Sequence, residues 1–402
     1  MFLGVRSNAD AAALLVAIVL HAFLLARVAG PGWRRSRAWR AAAALSILAL
    51  ALTSASQLID LWRPLYFPGH SPKQGNPVWW QWMHGVTLAW GFALIGASGL
   101  AAIVSPGVHF QKTAAGATPE PGPAAIGRRR FLALAGRVAP AAPLAIAFTG
   151  AAISRFQFEL THVKMPVPNL PPELAGFRIA HLSDPHLGAF LDIRDLERMV
   201  QLANETRPHL AAVTGDLITG PGDPLDAALA ILARLQAEHG IVGCHGNHEI
   251  YAAAVDYASE QGKRHGITFL RRQVRVIRQG SARLAVVGVD YQPMGIPYLR
   301  GVEALSGPGV CSLLLSHNPD VYPVAARKGF AAVLAGHTHG GQVNFEILGQ
   351  DLNVARFVTP YTRGLYTDQG AALYVNRGIG TVGIPVRLGA APEVALIELC
   401  AT

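Results

Sequence analysis

The chain has 402 residues, of which 51% are hydrophobic and 15% charged, and its formal net charge is +9. The charged share is well below the ~25% typical of soluble domains, so the composition excludes an intrinsically disordered chain and disfavours a purely soluble one. Residues 1–155 contain 14 Lys and Arg against 3 Asp and Glu, whereas the rest of the chain is near neutral, with 20 against 22. All seven Trp lie between Trp33 and Trp90. This contrast predicts two domains, 1–155 and 156–402.

The first domain contains four apolar segments, at 11–25, 41–61, 82–104 and 138–153. A helix needs roughly 20 apolar residues to cross a bilayer, so these segments predict about four transmembrane helices that anchor the chain. The fourth segment is short and contains Pro140 and Pro143. Residues 106–127 are rich in Pro, Gly and Ala and predict a flexible loop. The three arginines that follow, 128–130, resemble a twin-arginine export signal or an ordinary cytoplasmic charge anchor.

The arginines of the first domain stand in short clusters between apolar segments, which is typical of membrane-flanking charge. We therefore expect membrane lipids as partners and no nucleic acid, and we predict no obligate protein partner. The first and third loops carry most of the basic residues, so the positive-inside rule places them in the cytoplasm. With four spans, residues 156–402 would lie outside the cytoplasm, in a multi-pass protein of a bacterial inner membrane. Without the fourth span they would lie inside.

From about residue 176 short apolar runs alternate with amphipathic stretches, a pattern that predicts a layered α/β domain. Polar residues follow five of the predicted strands, at the strand ends where open α/β sheets bind ligands. These residues are Asp184 and His186, Asp216, Asn247 with His248 and Glu249, His317, and finally His337 and His339.

Seven of these side chains supply imidazole and oxygen ligands without a thiolate: Asp184, His186, Asp216, Asn247, His317, His337 and His339. Such a mixture suits Mn²⁺, Fe or Zn²⁺ better than Ca²⁺ or Mg²⁺. Seven ligands are too many for one tetrahedral ion, but they fit two divalent ions that share one carboxylate. The sequence contains neither a GxSxG nucleophile motif nor a phosphate-binding GxxxxGK[ST] loop, which disfavours a serine hydrolase, a kinase or a nucleotide-driven motor.

The ordered pattern DxH, GD, GNHE, H and GHTH resembles the calcineurin-like metallophosphoesterase family over about residues 176–400. Further segments, Gly340-Gly341-Gln342, Tyr361 to Gly364 and Asn376 to Gly380, resemble its bacterial membrane-anchored subfamily. The resemblance implies a β-sandwich flanked by helices and a dinuclear metal centre.

The same resemblance implies a role for each motif residue. Asp184, His186 and His339 would bind one metal ion, Asn247, His317 and His337 would bind the other, and Asp216 would bridge both. His248 would contact the substrate and help to protonate the leaving group, while Glu249 either orients His248 or joins Arg377 in binding substrate. The implied reaction is attack on phosphorus by a hydroxide held between the metals.

The sequence therefore predicts a membrane-anchored, metal-dependent phosphoesterase that acts on phosphoester or pyrophosphate bonds of a small-molecule or lipid-associated phosphorylated substrate. One alternative is a UDP-2,3-diacylglucosamine pyrophosphohydrolase of lipid A biosynthesis, which would require a cytoplasmic site. An alternative from another class is a membrane sensor or scaffold whose phosphoesterase domain is inactive.

Overall fold

The computed structural model describes residues 142–402, except 294, 296, 298, 306, 348, 349 and 369, together with residues 81, 82, 85, 86, 88, 89 and 93. Three of the predicted transmembrane segments, the loop at 106–127 and the arginines at 128–130 therefore lie outside the described residues, apart from those few positions between 81 and 93.

The fourth predicted transmembrane segment forms a short helix, α1 (Ala142–Ala152), of 11 residues. At 1.5 Å per residue such a helix is only about half the thickness of a ~30 Å hydrocarbon core. Within the part of the chain that the structure describes, no helix is both long and apolar enough for a membrane span. The predicted architecture with four transmembrane helices is thus corrected.

Residues 152–402 belong to one compact unit that contains two six-stranded mixed sheets. The first sheet has the order β1-β14-β2-β3-β4-β5. Its strands are β1 (Glu159–Val167), β2 (Arg178–Leu182), β3 (Leu210–Thr214), β4 (Ile241–Cys244), β5 (Ile267–Phe269) and β14 (Glu393–Ala401). Strands β2 to β5 run parallel to one another, while β14 pairs antiparallel with β2 and parallel with β1.

The second sheet has the order β12-β13-β9-β8-β7-β6. Its strands are β6 (Gln273–Gln279), β7 (Ala282–Gly288), β8 (Val310–Leu315), β9 (Ala332–Ala335), β12 (Gly364–Tyr366) and β13 (Ala372–Val375). The four central strands are parallel, and the two edge strands are antiparallel. A separate hairpin pairs β10 (Asn344–Ile347) with β11 (Gln350–Asn353).

The main core lies between the two sheets, where Ile179, Val242 and Ile397 of the first sheet belong to one buried cluster with Val286 and Leu334 of the second. Helices cover the outer faces. Three of them pack on the first sheet through a second apolar cluster. They are α2 (Ile193–Glu205), α3 (Leu225–Leu232) and α5 (Val255–Arg264), and a short helix α4 (Asn247–Tyr251) follows β4. Helix α6 (Tyr322–Arg327) packs on the second sheet. Burial on both faces explains why the parallel strands read as continuous apolar runs.

A buried ion pair connects the two sheets. Glu393 of β14 is 1% exposed and accepts hydrogen bonds from Tyr374 Oη of β13 and from the backbone and side chain of Arg377. Burial opposes ionisation of Glu393, but the charge and hydrogen bonds of Arg377 bring its pKa below the ordinary value of 4.5. The carboxylate therefore stabilises the fold above pH 4.5, and this contribution is lost as the pH falls through the folded-state pKa.

We expect Arg377→Met to lower the free energy of unfolding by about 3 kcal/mol, because it leaves a buried carboxylate without its partner. The difference from wild type should be largest at neutral pH and shrink below pH 4.5, as measured by urea denaturation. Arg234→Met removes the exposed Arg234–Glu197 pair and should cost less than about 1 kcal/mol. Equal losses in the two variants would contradict this account.

Candidate metal centre

The predicted ligands follow parallel strands of both sheets. In the first sheet, Asp184 and His186 follow β2, Asp216 follows β3 and Asn247 follows β4. In the second sheet, His317 follows β8, and His337 and His339 follow β9. Hydrogen bonds connect the two sets directly: the backbone N–H of His337 donates to Asp184 Oδ2 (3.0 Å), and His317 Nδ1 donates to the carbonyl of Thr214 (2.6 Å). The predicted ligands of the two sheets therefore meet at one place.

The first group of ligand atoms comes from Asp184, His186 and His339. His339 Nε2 lies 3.1 Å from His186 Nε2 and 3.4 Å from Asp184 Oδ1. All three residues are buried, with exposures of 0–3%. One carboxylate oxygen and two imidazole nitrogens thus face one another without an intervening side chain.

The second group comes from Asp216, His317 and His337. His317 Nε2 is 3.0 Å from Asp216 Oδ2 and 3.0 Å from His337 Nδ1. The same Oδ2 atom of Asp216 is 3.5 Å from His186 Nε2 of the first group. The Asp216 carboxylate therefore lies between the two groups.

These atoms suit a cation. In each group the ligand atoms lie within 4.8 Å of one another, close enough for a metal ion to contact all of them. Asn247 is 5% exposed, and its Oδ1 atom is a buried acceptor with no hydrogen-bond partner among the described residues. Because a buried acceptor without a partner is costly, a cation at this place would satisfy it. The mixture of imidazole, carboxylate and amide oxygen fits Mn²⁺, Fe or Zn²⁺.

Without a cation, the buried charges of this cluster compensate one another. Burial opposes the protonation of His317, but Asp216 and Asp184 raise its pKa to about 10. Burial raises the pKa of Asp184 to about 6, whereas the neighbouring imidazole of His317 holds that of Asp216 well below its usual range despite burial. Burial lowers the pKa of His186 to about 3, so its imidazole is neutral as a metal ligand must be.

The backbone at the site is held in an unusual conformation. Among the described residues, eleven that are not glycine have a positive φ, and five of them are predicted ligands: Asp184, His186, Asp216, His337 and His339. Such conformations are sparsely populated and persist where the surroundings enforce them, which is typical of functional sites. The Asp216 carboxylate packs directly against the backbone of Gly246. A Cβ atom at residue 246 would lie only 2.0 Å from Asp216 Oδ1.

His248 borders the cluster from α4. Its ring packs edge-on against His186 with 4.7 Å between the centroids, and its Nε2 atom is 4.0 Å from Asp216 Oδ2. Its Nδ1 atom donates to the carbonyl of Thr219 (2.5 Å), because a carbonyl can only accept. The side chain is 18% exposed, whereas those of His186 and Asp216 beside it are 0% and 2% exposed. His248 therefore presents Nε2 to the cluster and remains accessible.

Glu249 and Arg377, for which the sequence left a substrate contact open, make other contacts in the structure. Glu249 is fully buried, and its carboxylate accepts from the backbone N–H groups of Asp216 (2.9 Å), Leu217 (2.7 Å) and Gly246 (2.8 Å). It therefore fixes the loop of Asp216 to the loop of Asn247 instead of reaching a substrate. The Arg377 guanidinium is bound to Glu393, Glu159 and Thr161, so it stabilises strand ends.

Sequence reasoning missed Arg387, which is completely buried. Its guanidinium donates to the carbonyls of Arg377, Gly378, Gly380 and Ala390, and one Nη atom is 3.2 Å from His339 Nδ1. The loop bound by Arg387 also contacts Asp184, since the backbone N–H of Gly380 donates to the carbonyl of Asp184. The sequence feature that could have indicated a buried role for Arg387 is its position as a lone Arg within the otherwise apolar stretch 384–388.

Comparison with known proteins agrees with this geometry. The calcineurin-like phosphoesterase family matches residues 177–341. The uncharacterized metallophosphoesterase YkuE of Bacillus subtilis is 32% identical over 250 residues, which cover 58% of this chain and 82% of that protein. The chain belongs to this family. It is accordingly a metal-dependent hydrolase.

The alignment with this metallophosphoesterase covers different shares of two further relatives. A transmembrane protein with metallophosphoesterase domain from Bos taurus is 30% identical, over 60% of this chain and 56% of that protein. The phosphodiesterase YaeI of Escherichia coli is 28% identical, over 56% of this chain and 83% of that protein. The chain thus spans a little over half of the bovine relative, and the similarity reaches both bacterial and animal proteins, so it does not establish the bacterial subfamily.

We expect Arg387→Lys to weaken metal binding by about tenfold, because a lysine keeps the charge but cannot make the same set of hydrogen bonds behind His339. Mn²⁺ retained after dialysis at a fixed free concentration measures this change. Arg283→Lys is the matched control, since Arg283 is an exposed residue of β7. Metal retention equal to wild type in Arg387→Lys would contradict a role for Arg387 in positioning His339.

Proposed function

We propose that this metallophosphoesterase uses two divalent metal ions to hydrolyse a phosphoester or pyrophosphate bond in a lipid-associated substrate. In this proposal Asp184, His186 and His339 bind the first ion, Asn247, His317 and His337 bind the second, and Asp216 binds both. The observation that carries the proposal is the position of the Asp216 carboxylate, with His186 Nε2 at 3.5 Å on one side and His317 Nε2 at 3.0 Å on the other.

Bound divalent ions would lower the pKa of a water molecule and offset the negative charge of the phosphoryl group. The protein supplies the remaining functions. His248 is held by its Nδ1–H to Thr219, so a proton on Nε2 is aimed at the cluster and can pass to the leaving-group oxygen. Glu249 keeps the loops of Asp216 and Asn247 in register, which preserves the separation of the two ligand groups.

The lipid-associated part of the proposal is supported by composition. Residues 1–155 are apolar, rich in Trp and basic, which favours contact with a bilayer surface and its anionic lipids. The bovine relative is named a transmembrane protein. A phosphorylated lipid or a lipid-linked sugar phosphate is therefore the substrate class that we propose to test first.

A metal-dependence assay on the full-length protein tests the function. The protein, stripped with EDTA, would be supplied with Mn²⁺, Zn²⁺ or Fe²⁺ and with p-nitrophenyl phosphate, bis-p-nitrophenyl phosphate, phosphatidic acid or UDP-2,3-diacylglucosamine. We expect metal-dependent turnover that falls by about 10³-fold or more in Asp216→Asn, which removes the shared ligand charge.

The exposed Asp226 provides the matched control, because Asp226→Asn makes the same chemical change away from the cluster. Full turnover in Asp216→Asn would refute the proposed centre. Absence of turnover with every metal, in a folded protein, would favour the inactive sensor or scaffold. Turnover of UDP-2,3-diacylglucosamine alone would favour the lipid A alternative.

His248→Gln separates proton transfer from metal binding. An alkyl phosphate has a poor leaving group that needs protonation, whereas p-nitrophenolate leaves without it. We expect kcat for hexyl phosphate to fall about 10²-fold, with a much smaller loss for p-nitrophenyl phosphate and unchanged Mn²⁺ content. Equal losses for both substrates would show that His248 does not act as the general acid.

A further inference from the structure

A second feature of the unit is a cavity of about 510 Å³ beyond the carboxyl end of β5. Its lining includes Lys263 from α5, Phe269 from β5, Arg271 and Arg272 from the following turn, and Asp290 after β7. The predicted metal ligands do not line it. The cavity is therefore separate from the ligand cluster, although both lie at strand ends.

The sheet order gives the approximate separation. Strands β3, β4 and β5 are parallel neighbours, and Asp216, Asn247 and the cavity follow them in that order. With neighbouring strands ~4.8 Å apart, the cavity begins about 10 Å from the loop of Asp216 along the same edge. A single extended substrate can span that distance.

Two walls of the cavity are continuous with the proposed centre. On one side, Ser259 and Phe269 line the cavity and hold His245, through a hydrogen bond of 2.7 Å and a stacked ring at 4.4 Å. His245 is two residues before Asn247. On the other side, Asp290 lines the cavity, and the ring of the next residue, Tyr291, is centred 5.5 Å from His337.

The cations of the cavity are of two kinds. Arg271 is bound to Asp290 (2.9 Å) and Asp256 (2.5 Å), so its charge is already neutralised. Lys263 and Arg272 are exposed, and neither forms an ion pair among the described residues. The backbone of Arg272 has a φ of +56°, and its N–H donates to Gly288 O (2.8 Å), which fixes the place from which its side chain extends. The cavity thus has two available positive charges, Lys263 on α5 and Arg272 on a fixed turn.

Among the described residues, the proposed centre has no exposed arginine or lysine of this kind. Arg387, the cation that contacts His339, is fully buried and occupied by backbone carbonyls, so it offers no donor to a substrate. We propose that the cavity binds a second anionic group, a phosphate or a comparable oxyanion, of the substrate whose scissile phosphate lies at the metal centre. This inference rests on the proposed function and specifies its substrate as a molecule with two anionic groups about 10 Å apart.

A pair of substrates that differ only in the distal phosphate tests the inference. Hexane-1,6-diol bisphosphate and hexyl phosphate would be compared with the full-length protein and Mn²⁺, by release of inorganic phosphate. We expect wild type to have a kcat/KM about tenfold higher for the bisphosphate after correction for its two equivalent ends, as expected for contacts to two exposed cations. In Lys263→Gln/Arg272→Gln this ratio should fall toward one, and at higher salt it should fall in wild type as well.

Arg278→Gln is the matched control, because Arg278 is exposed and does not line the cavity. Gln273, at the start of β6, lines the cavity, whereas Arg278 lies near the other end of that strand. It should keep the wild-type ratio. A ratio that is unchanged in the double variant, while both substrates are hydrolysed, would overturn the cavity proposal and leave the proposed function intact.

Calorimetry on EDTA-treated full-length protein separates the two proposals further, since it requires no turnover. Binding of hexane-1,6-diol bisphosphate that weakens about tenfold in the double variant, but not in Arg278→Gln, would support the anion site even if the proposed reaction fails. Absence of binding to wild type at millimolar concentration would overturn the site. Binding that is lost while the kinetic ratio is unchanged would show an independent anion site and overturn its role in substrate recognition.

Discussion

The structure depends on keeping one buried carboxylate, Asp216, between two groups of imidazoles. A carboxylate buried to this degree is stable only if hydrogen bonds and opposite charges surround it. Its neighbours meet this need in different ways. His317 compensates the charge, the backbone N–H of His248 donates to Asp216 Oδ1, and Glu249 accepts a hydrogen bond from the backbone N–H of Asp216. Gly246 leaves the space in which the carboxylate lies. A rigid pair of sheets is required because these contacts come from the ends of β4 in the first sheet and β8 in the second.

The part of the site that could be predicted from sequence follows from strand geometry. Parallel strands have their carboxyl ends at one edge, so polar residues that follow apolar runs must converge there. This rule predicted the convergence of six side chains that lie together in the structure: Asp184, His186, Asp216, His317, His337 and His339. It could not find Arg387 or the task of Glu249, because both act through backbone atoms that are close only in the folded chain.

Other elements escaped prediction for reasons that lie in their sequences. Strand β1 includes Lys164 and Pro166 and lies at a sheet edge, where proline is tolerated and the alternation of apolar residues is weak. Strand β5 has only three residues, too few for any periodicity. The fourth apolar segment shows the opposite error, since hydropathy measures how apolar a stretch is but not how long its helix is. Its described helix, Ala142–Ala152, is too short for the span that its composition suggested.

The described arginines show why charge alone does not identify a cation that could bind a substrate. Arg387 is fully buried and acts on the backbone behind His339, and Arg377 closes an ion pair between the sheets. Both are committed to the fold, and a substrate cannot bind them without breaking it. Lys263 and Arg272 are exposed on a cavity wall that continues to Asn247 through His245. A cation can bind a substrate only if its charge is not already used by the protein, and these two residues meet that condition one strand beyond the ligands.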